Sequence, residues 1–277
     1  MKVLIYTAIF GKKDVPPKTN FVQSMPGYSI EFKCFTDTPK IKAKGYDIVR
    51  VPTTFRDITR NARKVKVLGG GYSHEYDLCI WHDASLQLNP KKIYALIDAC
   101  KMGAISTFKH AETCVYREAR NCIENKKDNP TTIYRQMRAY AKEYFPTNHT
   151  VWETGIWAYL PKQSLRFRNF WWYNIKKYSR RDQLSFPYSV WKTKCPVNIL
   201  PGSGFQNQYS NYLGHKYYHY KSPLSNFLIE NPISRKLSIR AIYSLEKKMN
   251  QLCSFDFFKV PEIKCSSLPT DWPHPSA

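Results

Sequence analysis

YDLCIWHDASLQL, residues 76–88, decides how the rest of this chain is read. Leu78, Cys79, Ile80 and Trp81 form an apolar run of strand length with no residue suited to face water, which predicts a strand buried on both faces. The acid Asp83 stands just beyond it, then Ala84 and Ser85, and Pro90 opens an amphipathic helix, PKKIYALIDACK. A buried strand that ends in a carboxylate and passes into a helix is how open α/β sheets set charge in the crevice at their strand ends. Asp83 is therefore a candidate for holding a divalent metal or a polar ligand; a turn residue or helix cap is the plainer alternative.

Working outward, the same grammar repeats. Residues 2–10 read as a first strand closed by Gly11, residues 30–35 as a second ending in Thr36 and Asp37, and residues 46–51 as a third. Residues 56–68 read as a helix with Asp57 near its positive end. Arg60 and Lys64 lie one turn apart on it, with Arg63 and Lys66 nearby, a cluster suited to a phosphate or to a solvated face. Gly69-Gly70-Gly71 ends that helix and is no phosphate loop, because no Gly-Lys-Ser/Thr follows.

Beyond the 90–101 helix come a strand at 103–108, helices at 112–125 and 131–145, and a strand at 150–160 interrupted by Thr154-Gly155. Glycine inside a strand marks a bulge or a close approach to the backbone. An aromatic, basic helix is next at 164–179, then a short strand at 197–200, HKYYHYK at 215–221 and a basic helix at 235–252. This alternation predicts an α/β fold with a mainly parallel central sheet flanked by helices. The expected division is a domain over 1–222, with a basic helical extension and irregular tail, 223–277, packed on it.

Composition narrows the function classes. Hydrophobic residues make up 43% of the 277, so a packed core is expected and global disorder is not. Lys and Arg total 43 against 21 acids, a formal net charge of +22, concentrated over 162–194, where Asp182 is the only acid. Such a surface favours anionic partners: nucleic acid, phosphorylated small molecules or acidic membrane surfaces. No apolar run is long enough to span a membrane, and no secretory leader is read in residues 1–11. The 8 cysteines are scattered without a Cys-x-x-Cys pair, which argues against zinc and for free thiols in a reducing, cytoplasmic setting, of the cell or of an infected host. The sequon at Asn148 then reads as accidental.

YTAIFGKKD (6–14), FTD (35–37), RNARKVK (60–66), WHDAS (81–85), Glu118-Ala119, WETG (152–155) and RDQLSF (181–186), in this order, resemble a glycosyltransferase-like domain family. That family was long catalogued as a domain of unknown function and occurs in bacterial surface-polysaccharide and plant wall proteins. The likeness covers roughly residues 2–190. More loosely, the pattern is similar to retaining transferases of the glycogenin type, with an Asp-x-Asp after a central strand, a small-residue–Gly motif, an Asp-Gln and a distal histidine. Here Ser85 stands where the second acid of that pair would be.

The resemblance implies a GT-A-like fold and a metal-assisted, retaining transfer of a sugar from a nucleotide-sugar, a UDP-sugar most often, to a glycan or glycoprotein. It places Asp83, Ser85 and His219 (or His215) around Mn or Mg, and Thr7, Ala8, Asp37, Arg60, Arg63, Lys66, Asp83, Ser85, Thr154 and Gly155 around the donor. Asp182, Gln183 and Glu153 become the catalytic candidates, with Asp182 facing the sugar or acceptor. Asp182 is otherwise an ion-pair partner of Arg180 or Arg181. Trp152, Trp171 and Trp172 either stack on sugars or fill the core. The competing functions are a basic nucleic-acid-binding protein, which lacks any recognisable binding motif here, and a metal-dependent hydrolase.

Overall fold

The computed structural model describes residues 1–11, 13–14, 18–21, 24–38 and 41–214. These divide into two units, 1–113 together with 150–214, and 114–149. The expected boundary at 222/223, the HKYYHYK segment with His215 and His219, and the basic helix at 235–252 lie outside the described residues.

The larger unit is built on a seven-stranded sheet of order β3-β2-β1-β4-β7-β6-β8, mostly parallel. Its strands are β1 (Lys2–Ile9), β2 (Ser29–Thr36), β3 (Asp47–Arg50), β4 (Leu78–His82), β6 (Ile105–Lys109), β7 (Trp152–Tyr159) and β8 (Val197–Leu200). Only β7 runs against its neighbours β4 and β6. A separate antiparallel ribbon pairs β5 (Leu86–Leu88) with β9 (Ser210–Tyr212), neither of which the sequence pattern marks.

The central strand is as its apolar run requires: every residue of β4 is buried. Alternate residues of each strand face opposite layers. Leu4, Tyr6, Cys79, Trp81, Trp157 and Tyr159 pack in one layer, Val3, Ile5, Leu78, Ile80, Ile156 and Ala158 in the other. The first layer is closed by α1 (Ile58–Leu68), α5 (Leu165–Lys177) and α6 (Asp182–Thr193), the second by α2 (Ile93–Cys100). Trp152, Trp171 and Trp172 are 5%, 0% and 8% exposed, so the aromatic helix supplies core rather than a sugar-stacking platform. Trp171 sits edge-on to Trp157 at 5.0 Å and to Phe186 at 4.8 Å.

The smaller unit holds a pair of helices, α3 (Val115–Glu124) and α4 (Pro130–Lys142). Asn129 caps α4 by accepting from the Thr132 N–H, with Pro130 in the first turn. Tyr116 donates its hydroxyl to the Phe145 carbonyl at 2.9 Å. Glu118 is buried here and accepts from the Cys122 thiol. The described cysteines are buried thiols outside any disulfide. No described helix is long and apolar enough to cross a membrane.

Two junctions fix the course of α1 and its return to β4. Asp57 caps α1 by accepting from the Thr59 N–H, and Asn61 holds the approach by accepting from the N–H groups of Thr54 and Phe55, each at 2.8 Å. At the other end, Gly69, Gly70 and Gly71 all take positive φ (69°, 62° and 91°), reversing the chain toward β4. A Cβ on Gly70 would lie 2.3 Å from the Phe35 ring, whereas one on Gly71 would meet nothing within 4 Å. Gly71→Ala is therefore expected to cost about 1–2 kcal/mol, the left-handed penalty alone. Gly70→Ala is expected to cost clearly more, read as a larger drop in the urea midpoint with unchanged slope; equal midpoints would refute the close approach to Phe35.

Candidate functional site

Strands β1, β2 and β3 lie on one side of β4 and β7, β6 and β8 on the other, so the chain's direction of travel across the sheet reverses between β1 and β4. In open α/β sheets ligands settle at the carboxyl ends of the strands at such a reversal. A cleft opens there. Ala8, Ile9 and Phe10 line it from the end of β1, Trp81, Asp83 and Ala84 from the end of β4, and Arg63 from α1, with Lys13 and Asp14 from the loop after β1.

Behind this cleft two acids and two bases interlock. Arg63 and Lys66 are three residues apart on α1 and so share a face. Lys66 Nζ lies 2.6 Å from Asp182 Oδ2 and 3.5 Å from Asp83 Oδ1. Arg63 Nε lies 3.0 Å from Asp182 Oδ1, and its Nη1 3.6 Å from Asp83 Oδ1. Thr154 Oγ1 donates to Asp182 Oδ2 at 3.1 Å, and Trp81 Nε1 donates to Asp83 Oδ1 at 2.9 Å. The Lys66 side chain is wholly buried, with its ammonium 5.6 Å from the Trp81 ring centre, while Asp83 keeps 30% of its side chain open.

The local folds explain this placement. Asp182 is the first residue of α6, where a negative charge suits the helix dipole, and the indole of Trp171 donates to its carbonyl. Between Thr107 and Lys109 the pairing of β6 with β7 shifts register, and Thr154-Gly155 lies in that irregular stretch. Gly155 there accepts the Asp83 N–H at 2.7 Å, and its missing side chain leaves Asp83 Oδ2 and Leu86 beside its Cα. A glycine that interrupts a strand pattern is thus both the bulge and the close approach.

Burial pushes the carboxyls of Asp83 and Asp182 up, but the positive charges of Lys66 and Arg63 outweigh it and hold both below their usual range. Burial likewise draws Lys66 down, opposed by Asp182 and Asp83. Burial and the charges of Arg63, Arg180 and Arg181, opposed by Asp14, lower Lys13 to about 8. Lys13 is absent from the residues expected at the site; the signal for it is the basic pair directly after Gly11, on a strand end already marked for ligand binding.

The expected site residues separate accordingly. Ala8, Arg63 and Asp83 line the cleft, Lys66, Thr154 and Gly155 support it, and Thr7 is fully buried with a side-chain oxygen that lacks a hydrogen-bond partner among the described residues. Asp37 accepts the Gly11 N–H at 3.0 Å and so holds the turn after β1. Ser85 is buried, its carbonyl accepting the Leu213 N–H. Arg60 turns elsewhere: its guanidinium donates to the carbonyls of Ile175 and Tyr178 at the end of α5. Glu153 is also apart, with a half-buried carboxyl held by the Gly204 N–H and raised chiefly by burial. Gln183 is partly exposed on the first turn of α6. Asp182 pairs with Arg63 and Lys66, and the charge of Arg181 also acts on it; Arg180 reaches Asp57 at 3.4 Å.

Among the described residues, the donor set fits a divalent cation poorly. No cluster of three His, Cys, Asp or Glu side chains able to surround an ion occurs among the described residues. Asp83 Oδ1 already faces two cations and an indole N–H. An ion at the ordinary ligand distance of about 2.1 Å from that oxygen would lie within about 6 Å of both like charges.

Residues 1–219 match the model of the TOD1/MUCI70, glycosyltransferase-like domain family. The chain belongs to that family, and with it to the glycosyltransferase-like proteins. No curated protein matches the chain.

Asp182 is the principal counter-charge of a buried lysine, and breaking such a pair from one side costs about 3–5 kcal/mol. Asp182→Asn is expected to lose that much stability in chemical denaturation. Adding Lys66→Met should recover part of the loss, giving a coupling energy above about 1 kcal/mol in the double-mutant cycle. Additive losses would show that the two side chains do not act as a pair.

Proposed function

We propose that this protein transfers a sugar from a nucleotide-sugar, a UDP-sugar first among them, to a hydroxyl of a glycan or glycoprotein acceptor. The diphosphate would lie in the cleft between the ends of β1 and β4. The observation that carries this reading is the cleft itself: it sits at the reversal of strand order, is bordered by Arg63 and Lys13, and belongs to a chain of the glycosyltransferase-like family. The class is thus set by the family, and the donor is inferred from charge and position.

In the proposed reaction the bond between the sugar C1 and the β-phosphate oxygen breaks with its electron pair, and that oxygen gains a negative charge. The acceptor oxygen bonds to C1, and its proton passes to the departing phosphate. The barrier lies in the charge that grows on the leaving group, so cations fixed in advance beside it lower the barrier without reorganisation. Asp83, ionised and open to the cleft, is suited to accept from sugar hydroxyls and to stabilise positive charge on the ring. Asp182 would act as a positioning residue, holding Arg63 and Lys66 for this task.

Retention of configuration is part of the proposal. An inverting enzyme needs a carboxylate able to take the acceptor proton from the far side. The carboxylates of the buried cluster, Asp83 and Asp182, are both held below the usual range by Lys66 and Arg63 and are weak bases, whereas departure of phosphate on the acceptor's own face needs none. Product NMR showing an inverted anomer would overturn this part.

Binding itself is testable through Lys13. A bound anion favours its charged form, whose pKa burial and the charges of Arg63, Arg180 and Arg181, against Asp14, lower to about 8. Affinity for a nucleoside diphosphate should hold below that pH and fall by up to about tenfold per unit above it. Titration calorimetry from about pH 7 to about pH 9.5 reads this, and Lys13→Arg should flatten the profile. Failure of every nucleoside diphosphate to bind would remove the proposed function.

A further inference from the structure

Resting on that reading, we infer that the leaving diphosphate is neutralised by the chain's own cations, Arg63 and Lys13 with Arg180 and Arg181 behind them, and that no divalent ion bridges it to Asp83. In a metal-assisted site the carboxylate faces the phosphates and the ion stands between, because two anions share a crevice only with positive charge beside them. In this cleft the Oδ1 side of Asp83 is taken. Lys66 at 3.5 Å and Arg63 at 3.6 Å approach the same carboxylate oxygen.

Both cations are built in rather than recruited. Lys66 cannot swing away, because its ammonium is buried and held by Asp182 at 2.6 Å, and Asp182 is itself fixed at the start of α6. Arg63 is pinned by Asp182 at 3.0 Å yet lines the cleft, so its charge is oriented before any ligand arrives. Asp182 thereby serves two bases at once, leaving Asp83 partly exposed and compensated. Lys13, beside Asp14, adds a further positive charge to the lining, close enough to Arg63, Arg180 and Arg181 to feel all three. Lys13 is lowered first by burial and then by these like charges, against the pull of Asp14, and an anion in the cleft such as a diphosphate relieves the like-charge part.

Titration calorimetry of uridine diphosphate, or of whichever nucleoside diphosphate binds best, distinguishes the possibilities when run in a chelator and in excess MnCl2. The expected affinities agree within about twofold, since the charge that matters is covalently part of the protein. Lys13→Met and Arg63→Met should each weaken binding by about tenfold or more in both buffers. Asp83→Asn should strengthen binding of the diphosphate alone, by removing a negative charge beside it. Thermal melts of the same variants separate lost binding from lost folding, and Lys13→Met, in a loop outside the buried cluster, carries the test if Arg63→Met does not fold. Binding abolished by chelator and by Asp83→Asn would overturn this inference while leaving the donor assignment standing. Absence of binding in both buffers would overturn both.

Discussion

The contact between the Lys66 ammonium and the Asp182 carboxylate, 2.6 Å apart and closed from solvent, is the constraint on which the rest of the unit depends. It joins α1 to α6 across the layer that also carries Trp81 and Trp157. A buried ion pair is a weak source of stability, since desolvation offsets most of the attraction, but a one-sided loss is severe. Such a pair matters to a fold through position. This one fixes Arg63 and orders Thr154, so that a single carboxylate at a helix start organises the base of the cleft.

Everything else at the cleft is then a matter of which charges remain available. Arg60 is absorbed by the carbonyls at the end of α5, and Lys64 donates to the Thr54 hydroxyl at 3.0 Å. Of the basic face of α1, Arg63 alone both lines the cleft and carries a fixed orientation. The high positive charge of the chain therefore describes its surface, while the chemistry turns on a few cations whose directions are set by buried acids.

Much of this was legible in the sequence because period and punctuation are local. The apolar run before Asp83 has no face for water and became the fully buried β4; the Gly triplet ended α1; Gly155 marked both a bulge and a close approach. What escaped were features set by distance in space. Charge counting could not tell Arg60 from Arg63, because helical position alone does not show that one meets Asp57 and the carbonyls ending α5 while the other meets Asp83 and Asp182 at the cleft. The ion-pair partners of Asp182 on α1, Arg63 and Lys66, lie more than a hundred residues away in sequence, a pairing that local spacing does not show. The β5–β9 ribbon was missed because strands of three residues carry too little alternation to read.

Whether this fixed basic cluster, rather than a bridging ion, meets the charge of the leaving diphosphate is open to direct observation. Anomalous diffraction at the manganese edge, from crystals of the protein with a nucleoside diphosphate in excess MnCl2, tests it most directly. The expected result is phosphate oxygens within hydrogen-bond distance of Arg63 and Lys13 and no anomalous peak between them and Asp83. A manganese peak coordinated by Asp83 and the diphosphate would contradict it.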